Sequence, residues 1–245
     1  NKTSVFALFF AALSLYLNRV RSLQEITIGT PVLNRTNARE KKTIGMFVGT
    51  VPLCVKVDKD LSFDEFSRGI DREWFSVLKH QKYPYDLIIK DIREQGAHVD
   101  KLFSIAVSYQ NARIDQAACE TKIRARWHFN DCQVESLYLH INDREDSGEL
   151  ILNFDYQTDL FYELEIDFIH DHIIRLLWHA LDNPSRKLSR IHMLSQNEMD
   201  KVLRQFNDTT AGYPPDETLV TLFERQAVLR PGSIALDRKS TRLNS

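Results

Sequence analysis

Leu102-Phe103-Ser104-Ile105-Ala106-Val107-Ser108-Tyr109-Gln110 alternates between apolar and small or polar side chains. In an extended chain this sets Phe103, Ile105, Val107 and Tyr109 on one face and Ser104, Ala106, Ser108 and Gln110 on the other, the period of a strand with one buried side. Val134–Asn142 alternates in the same way. Glu149–Gln157 turns Leu150, Leu152, Phe154 and Tyr156 to one face. Between them, Asp143-Arg144-Glu145-Asp146-Ser147-Gly148 reads as a hairpin turn. Ile123–Asn130 is a weaker strand.

Upstream, Met46–Val57 places Phe47, Val51, Leu53, Val55 and Val57 on one face. Pro52 inside it implies an edge position or a bulge, because proline has no ladder N–H to give. Glu25–Pro31 is a short strand candidate through Ile26, Thr27 and Ile28, closed by Gly29 and Pro31, and Asn34–Lys42 reads as a polar loop. Helices alternate with these strands. Ser62-Phe63-Asp64-Glu65 is a capping box, and the helix it opens carries Phe63, Phe66, Ile70, Trp74, Val77 and Leu78 on one side, stopping near His80. Pro84 is placed to start a second helix through Ile89. Tyr162–Leu181 keeps Ile166, Ile169, Ile173, Leu176, Leu177 and Ala180 at helical spacing and ends at Asn183-Pro184. The fold class that follows is α/β (α+β): a layered sandwich, a mixed sheet with helices packed on it.

The two ends read as cuts. Val5–Leu17 is nearly all apolar, too short to span a bilayer, and without a small-residue cleavage pattern after it. A helix apolar all round is a buried one, so the expectation is that further sequence precedes it. Ser195–Glu198 opens another capped helix with Met199, Val202, Leu203 and Phe206 on one face. Asn207–Asp216 is a turn-rich joint, Leu219–Leu229 a new helix, and Ser233–Leu236 the start of a strand. The basic, polar run from Arg238 to Ser245 reads as translated cloning or adapter sequence and is set aside.

A formal net charge of −2 over 245 residues gives no push toward nucleic acid or a membrane surface. Cys54, Cys119 and Cys132 form neither a disulfide framework nor a zinc spacing and read as thiols of a cytoplasmic protein. The sequence has no G-x-S-x-G, no G-x-G-x-x-G and no phosphate-cradling loop. His170 and His172 are two apart on a helix, hence about 200° apart, and cannot share a ligand. Glu163, Glu165 and Asp167 read as a solvated face. His80-Gln81-Lys82-Tyr83-Pro84-Tyr85-Asp86 reads as a helix–helix joint in which Tyr83 and Tyr85 pack and Gln81 bonds backbone. The residues alone support a cytosolic mixed α/β domain.

Three stretches, in order and spacing, go further. Glu25–Arg35 (Glu-Ile-Thr-Ile-Gly-Thr-Pro-Val-Leu-Asn-Arg) resembles a segment of the condensation domains of nonribosomal peptide synthetases. Ile44-Gly45-Met46-Phe47-Val48-Gly49-Thr50 resembles their fifth core motif, I/V-G-x-F-V-N-T, and His80–Asp86 their sixth, H-Q-D-Y-P-F-E. Leu194–Thr209, Tyr213-Pro214 and Leu222–Ala227 are similar to the junction into an adenylation domain. The resemblance implies a chloramphenicol acetyltransferase-like lobe at residues 1–194, a linker at 195–217, the start of an adenylation domain at 218–237 and an artefactual tail at 238–245. It implies amide formation between donor and acceptor groups held as thioesters on the 4′-phosphopantetheine arms of peptidyl carrier protein domains. No cofactor is bound by the lobe itself, and the partners are the carriers and the adenylation domain of the same chain.

The family's H-H-x-x-x-D-G motif is absent, since no two histidines are adjacent, so no catalytic residue is carried over and the fragment alone is expected to be inactive. Tunnel candidates are Gly45, Phe47, Val48, Gly49 and Thr50, then His80, Gln81 and Pro84, then Ser104 and Ser108 on the small polar face. Gly49 stands where the motif has Asn, Lys82 where it has Asp, and Tyr85 where it has Phe. A noncatalytic carrier-docking module and an epimerisation domain of the same fold are the alternatives.

Overall fold

The structure, a computed structural model, describes residues 3–111, 117–118, 121–122, 128–129, 131–144, 148–210, 212 and 217–234. Two compact units divide at Ser195/Gln196. In chain order the first holds helix α1 (Val5–Arg21), strand β1 (Glu25–Val32), α2 (Ala38–Lys42), β2 (Gly49–Lys56), α3 (Phe63–Lys79), α4 (Tyr85–Glu94) and β3 (Ile105–Gln110). The short pair β4 (Ala117–Ala118) and β5 (Thr121–Lys122), β6 (Leu137–Asn142), β7 (Ile151–Tyr156) and α5 (Glu163–Asp182) follow.

The main sheet has the order β2-β1-β3-β6-β7. β3 pairs parallel with β6 from Ile105↔Leu137 to Gln110↔Asn142, and β6 pairs antiparallel with β7. β2 is an edge, which accommodates Pro52 as the alternation requires. β1 is longer than its local sequence suggests. Gly29 and Pro31 do not close it but lie inside an eight-residue strand paired with β2 from Glu25↔Lys56 to Val32↔Gly49. Pro31 is tolerated because β1 shares a single ladder position with β3, Gly29↔Ala106.

Val107, Leu137, Leu139 and Ile141 on one sheet face meet Phe10 and Leu13 of α1, Phe63 and Ile70 of α3, and Ile173 and Leu176 of α5 in one core. Each fully buried Leu or Ile there contributes about 1.5–3 kcal/mol. α1 is buried on several sides because α3, α5, β1 and β3 all touch it. Elements later in the chain supply that cover, so burial of α1 does not by itself call for preceding sequence. Ser4 caps α1 through its bond from the Ala7 N–H (3.1 Å) and also grips Asp71 of α3. The Ser62–Glu65 capping box of α3 is complete.

Other boundaries move for local reasons. β3 starts at Ile105 because the Leu102 N–H donates to the Tyr85 hydroxyl (2.8 Å) instead of entering a ladder. Phe103 therefore leaves the face of Ile105 and Val107, and its ring lies over Gly29 on the second face. The expected loop 34–42 contains α2, capped by Asn37 Oδ1 accepting from the Glu40 N–H (2.9 Å). α4 runs past Ile89 to Glu94, since nothing breaks it before Gly96 at φ 91°. Leu150 precedes β7 and is exposed rather than inward. Most of Ile123–Asn130, the centre of the 143–148 turn, Cys119 and residues 235–245 lie outside the described residues.

The second unit contains α6 (Gln196–Leu203), a single turn at Gln205–Asn207, and α7 (Leu219–Leu229). Ser233 and Ile234 are not in a strand.

Candidate functional site

Arg35 organises the loop that carries Gly45–Thr50. Its guanidinium donates to the carbonyls of Glu40, Thr43 (2.7 Å) and Gly45 (2.7 Å) and covers the Phe47 ring at 4.2 Å. These bonds hold residues 43–47 off the sheet, which is why Phe47 does not continue the β2 alternation. Gly45 takes φ 142°. Val48 is exposed, with Ile44 and Met46 beside it almost fully so. Gly49 begins β2 opposite Val32, and Thr50 opposes Pro31. A Cβ on Gly49 would stand 2.8 Å from the Asn34 side-chain nitrogen, so Asn34, itself at φ 52°, occupies the space a side chain at 49 would need.

The His80–Asp86 stretch joins α3 to α4. His80 ends α3, and the Gln81 amide donates to the Leu78 carbonyl (2.8 Å). Pro84 precedes α4, its carbonyl accepting from the Leu87 and Ile88 N–H groups. Tyr83 donates to Asp91, whose carboxylate raises the phenol's pKa. The Tyr85 ring meets Phe103 at 5.3 Å. Between β2, the end of α3 and α4 lies an open cleft of about 840 Å³, with Val51, Pro52, Val77 and Ile88 as apolar surface and Lys79, His80, Gln81 and Lys82 as polar lining. Lys82 pairs with Glu40 and so ties this joint to the Arg35 loop. The Lys82 hydrogen bond, followed by the Thr36 N–H, pulls the Glu40 carboxyl down to about 2. The cleft offers donors over an apolar surface and no paired acid and base.

Ser104 and Ser108 lie elsewhere. Ser104 accepts from the Ser136 N–H (2.8 Å) at the start of β3. Ser108 is 3% exposed on the second sheet face. Its Oγ is 2.9 Å from His140 Nδ1, and His140 Nε2 is 2.9 Å from Asp155 Oδ2. Tyr138 stacks on the imidazole at 4.0 Å. Burial lowers the His140 pKa against the opposing pull of Asp155, and burial pushes the Tyr138 phenol up to about 12. The structure thus gathers the two motif stretches at one end of the sheet and Ser108 with β6 and β7 on its second face.

Sequence reasoning missed Lys82–Glu40, the role of Arg35, and His140 with Asp155. The alternation of Val134–Asn142 sets His140 opposite Leu139, but nothing local names β3 as its neighbour. His170 and His172 diverge as the helical spacing requires: His170 meets Phe154 and Asp171, and His172 meets Tyr16 and Phe168. Among the described residues no cluster of three or more His, Cys, Asp or Glu could hold a metal, and no helix is long and apolar enough to cross a membrane.

A family model described as "Condensation domain" matches residues 1–203. Surfactin synthase subunit 1 of Bacillus subtilis (strain 168) is 35% identical over 229 residues, covering 94% of this chain and 6% of that protein. A plipastatin synthase of the same organism is 34% identical over 239 residues, covering 96% and 9%. The chain thus spans less than a tenth of these relatives. Among solved structures, a holo four-domain nonribosomal peptide synthetase superposes with a TM-score of 0.72 at 17% identity, over 95% of this chain and 19% of that one. The starter condensation domain of rhizomide synthetase gives 0.60 at 18% identity, over 78% and 45%. At these identities the superpositions speak for the fold, which is that of condensation domains, mixed α/β and chloramphenicol acetyltransferase-like. With the family model spanning most of its length, the chain belongs to the condensation-domain family.

Proposed function

We propose that residues 1–194 are the C-terminal lobe of a condensation domain in a nonribosomal peptide synthetase, that 195–217 link it onward, and that 218–237 begin an adenylation domain. Two observations support this reading: 78% of this chain matches 45% of a solved condensation domain, about half of one, and the stretches Ile44–Thr50 and His80–Asp86 resemble that family's fifth and sixth core motifs, in order. In the intact synthetase the domain joins a donor acyl or peptidyl group to an acceptor amine. Both arrive as thioesters on phosphopantetheine arms of carrier domains, which enter as substrates. The amine attacks the donor carbonyl, an amide C–N bond forms, and the C–S bond breaks to release the carrier thiol. Holding both ends in one channel makes the step effectively unimolecular.

This chain's part is to wall that channel. The loop Gly45–Thr50 pinned by Arg35, the joint at His80, Gln81 and Pro84, and the second sheet face with Ser104 and Ser108 are the bordering surfaces. The H-H-x-x-x-D-G histidines belong to the other lobe. The reading places the protein in the cytoplasm, among carrier and adenylation domains.

The test is an amide-forming assay. The open reading frame around this sequence is expressed intact, loaded donor and acceptor carriers are supplied, and the condensed product is followed by mass spectrometry. The intact protein forms product, alanine at the upstream histidine pair abolishes it, and residues 1–245 alone form none. Product from the isolated chain, or none from the intact protein, overturns the reading.

A further inference from the structure

Ser108, His140 and Asp155 come from three neighbouring strands and project from the same sheet face. Ser108 and His140 are partners in the parallel β3–β6 ladder, while Asp155 opposes Tyr138, two residues from His140. The two 2.9 Å bonds define a direction. An ionised Asp155 accepts only, so it takes the proton on Nε2. That leaves the Nδ1 lone pair facing the Ser108 hydroxyl, the orientation a general base needs. Tyr138 stacks on the imidazole, and its hydroxyl also shares a hydrogen bond with Ser108. A fourth group completes the arrangement. The Gln110 amide nitrogen lies 3.4 Å from Ser108 Oγ, and Arg144 holds the oxygen of that amide, which turns its N–H groups toward Ser108. The Gln110 N–H is aimed at Ser108 Oγ itself and so helps fix the orientation of the hydroxyl.

We infer that Ser108 is a nucleophile for activated acyl groups, with His140 as its base and Asp155 as the residue that positions His140. The substrate class is a small activated ester or thioester, since Ser108 is 3% exposed and only a small acyl group could approach it. Ser108 Oγ adds to the carbonyl and its proton passes to His140 Nδ1. The carbonyl's bond to the leaving oxygen or sulfur breaks, and a thiolate leaving group takes the proton from His140. Water then attacks the acyl-Ser108 ester, giving its proton to His140, which returns it to Ser108 as the carboxylic acid departs. The net reaction is hydrolysis, with no redox partner. It is distinct from amide formation and does not depend on that reading.

The test uses the full chain, shown folded by a cooperative melt. It is treated with p-nitrophenyl acetate and, in parallel, with a fluorophosphonate that modifies activated serines. Peptide mass spectrometry then locates the adduct. Acetyl and phosphonyl groups are expected on Ser108, with none at that position in Ser108→Ala. Asp155→Asn should slow modification of Ser108 by on the order of 10³–10⁴-fold, since it supports the wrong tautomer, and His140→Gln by a similar factor. Acetylation of surface lysines is separated by its position. A folded wild-type chain with Ser108 unmodified by both reagents overturns the inference, as does unchanged labelling in folded Asp155→Asn and His140→Gln. Should those variants fail to fold, the wild-type adduct map decides alone.

Discussion

Replacing Gly29 by alanine tests how the second sheet face is packed. A Cβ at this position would stand 2.3 Å from Cε2 of Phe103 and 2.6 Å from two more ring atoms, roughly 1 Å short of the 3.4 Å at which such contacts become ordinary. The ring cannot simply slide away, because Tyr85 lies against it at 5.3 Å and the Tyr85 hydroxyl holds the Leu102 N–H. Overpacking of this kind costs about 1–3 kcal/mol. The backbone at Gly29 is ordinary extended strand, so alanine also returns about 0.4–1 kcal/mol through the unfolded chain. At the middle of these two ranges the net expectation is destabilisation by about 1.3 kcal/mol, or ~3–5 °C in melting temperature for a chain of this size.

The same substitution in a Phe103→Ala background removes the clash and keeps the entropic gain, so its sign should reverse to stabilisation by about 0.4–1 kcal/mol. Urea unfolding of the four proteins measures both steps. Gly29→Ala without effect in the wild type, or equally damaging in both backgrounds, refutes the packing argument. The outcome matters for the channel-wall reading, because Phe103 links Gly29 of the first motif stretch to Tyr85 of the last.

Arg35→Lys keeps the charge but loses the fork that reaches three carbonyls, so amide hydrogen exchange across residues 43–47 should speed by tenfold or more, on the order of one charged hydrogen bond. Glu40 is held at about 2 in the folded chain against an ordinary 4.5. Its anchoring of the loop is therefore present above pH 4.5 and lost as pH falls toward 2; proteolysis of residues 36–48 should rise over that window and be independent of it in Glu40→Gln. His140 is shifted the other way relative to its charged form: burial depresses its pKa, so the unfolded chain binds the extra proton first. Its contribution makes stability fall as pH drops below about 6.5 and level off below the folded value; urea midpoints that fall more steeply over this range in wild type than in a folded His140→Gln variant would confirm the sign, and equal slopes would refute it.

Local sequence determined the kind and the facing of most elements. Alternation in 102–110 and 134–142 set Val107 and Leu139 on one face and Ser108 and His140 on the other, because side-chain direction in a strand depends only on its own backbone period. The Ser62–Glu65 box, the stripe on α5 and the edge placement of Pro52 were legible for the same reason: their causes lie within a few residues. Where local reading failed, a distant group had intervened. Tyr85 takes the Leu102 N–H and detaches Phe103 from its strand, and Pro31 stays in β1 because β3 makes no demand on it there.

Only the tertiary structure decided which strands are neighbours. Ser108 and His140 are 32 residues apart and meet because β3 and β6 pair in parallel, a choice made by the shared core and the connections between strands rather than by either segment. Asp155 joins them through the return of β7. Periodicity orients a strand about its own axis and is silent about what lies beside it. The faces of this protein could be read from its residues, while the contacts on which its chemistry rests could not.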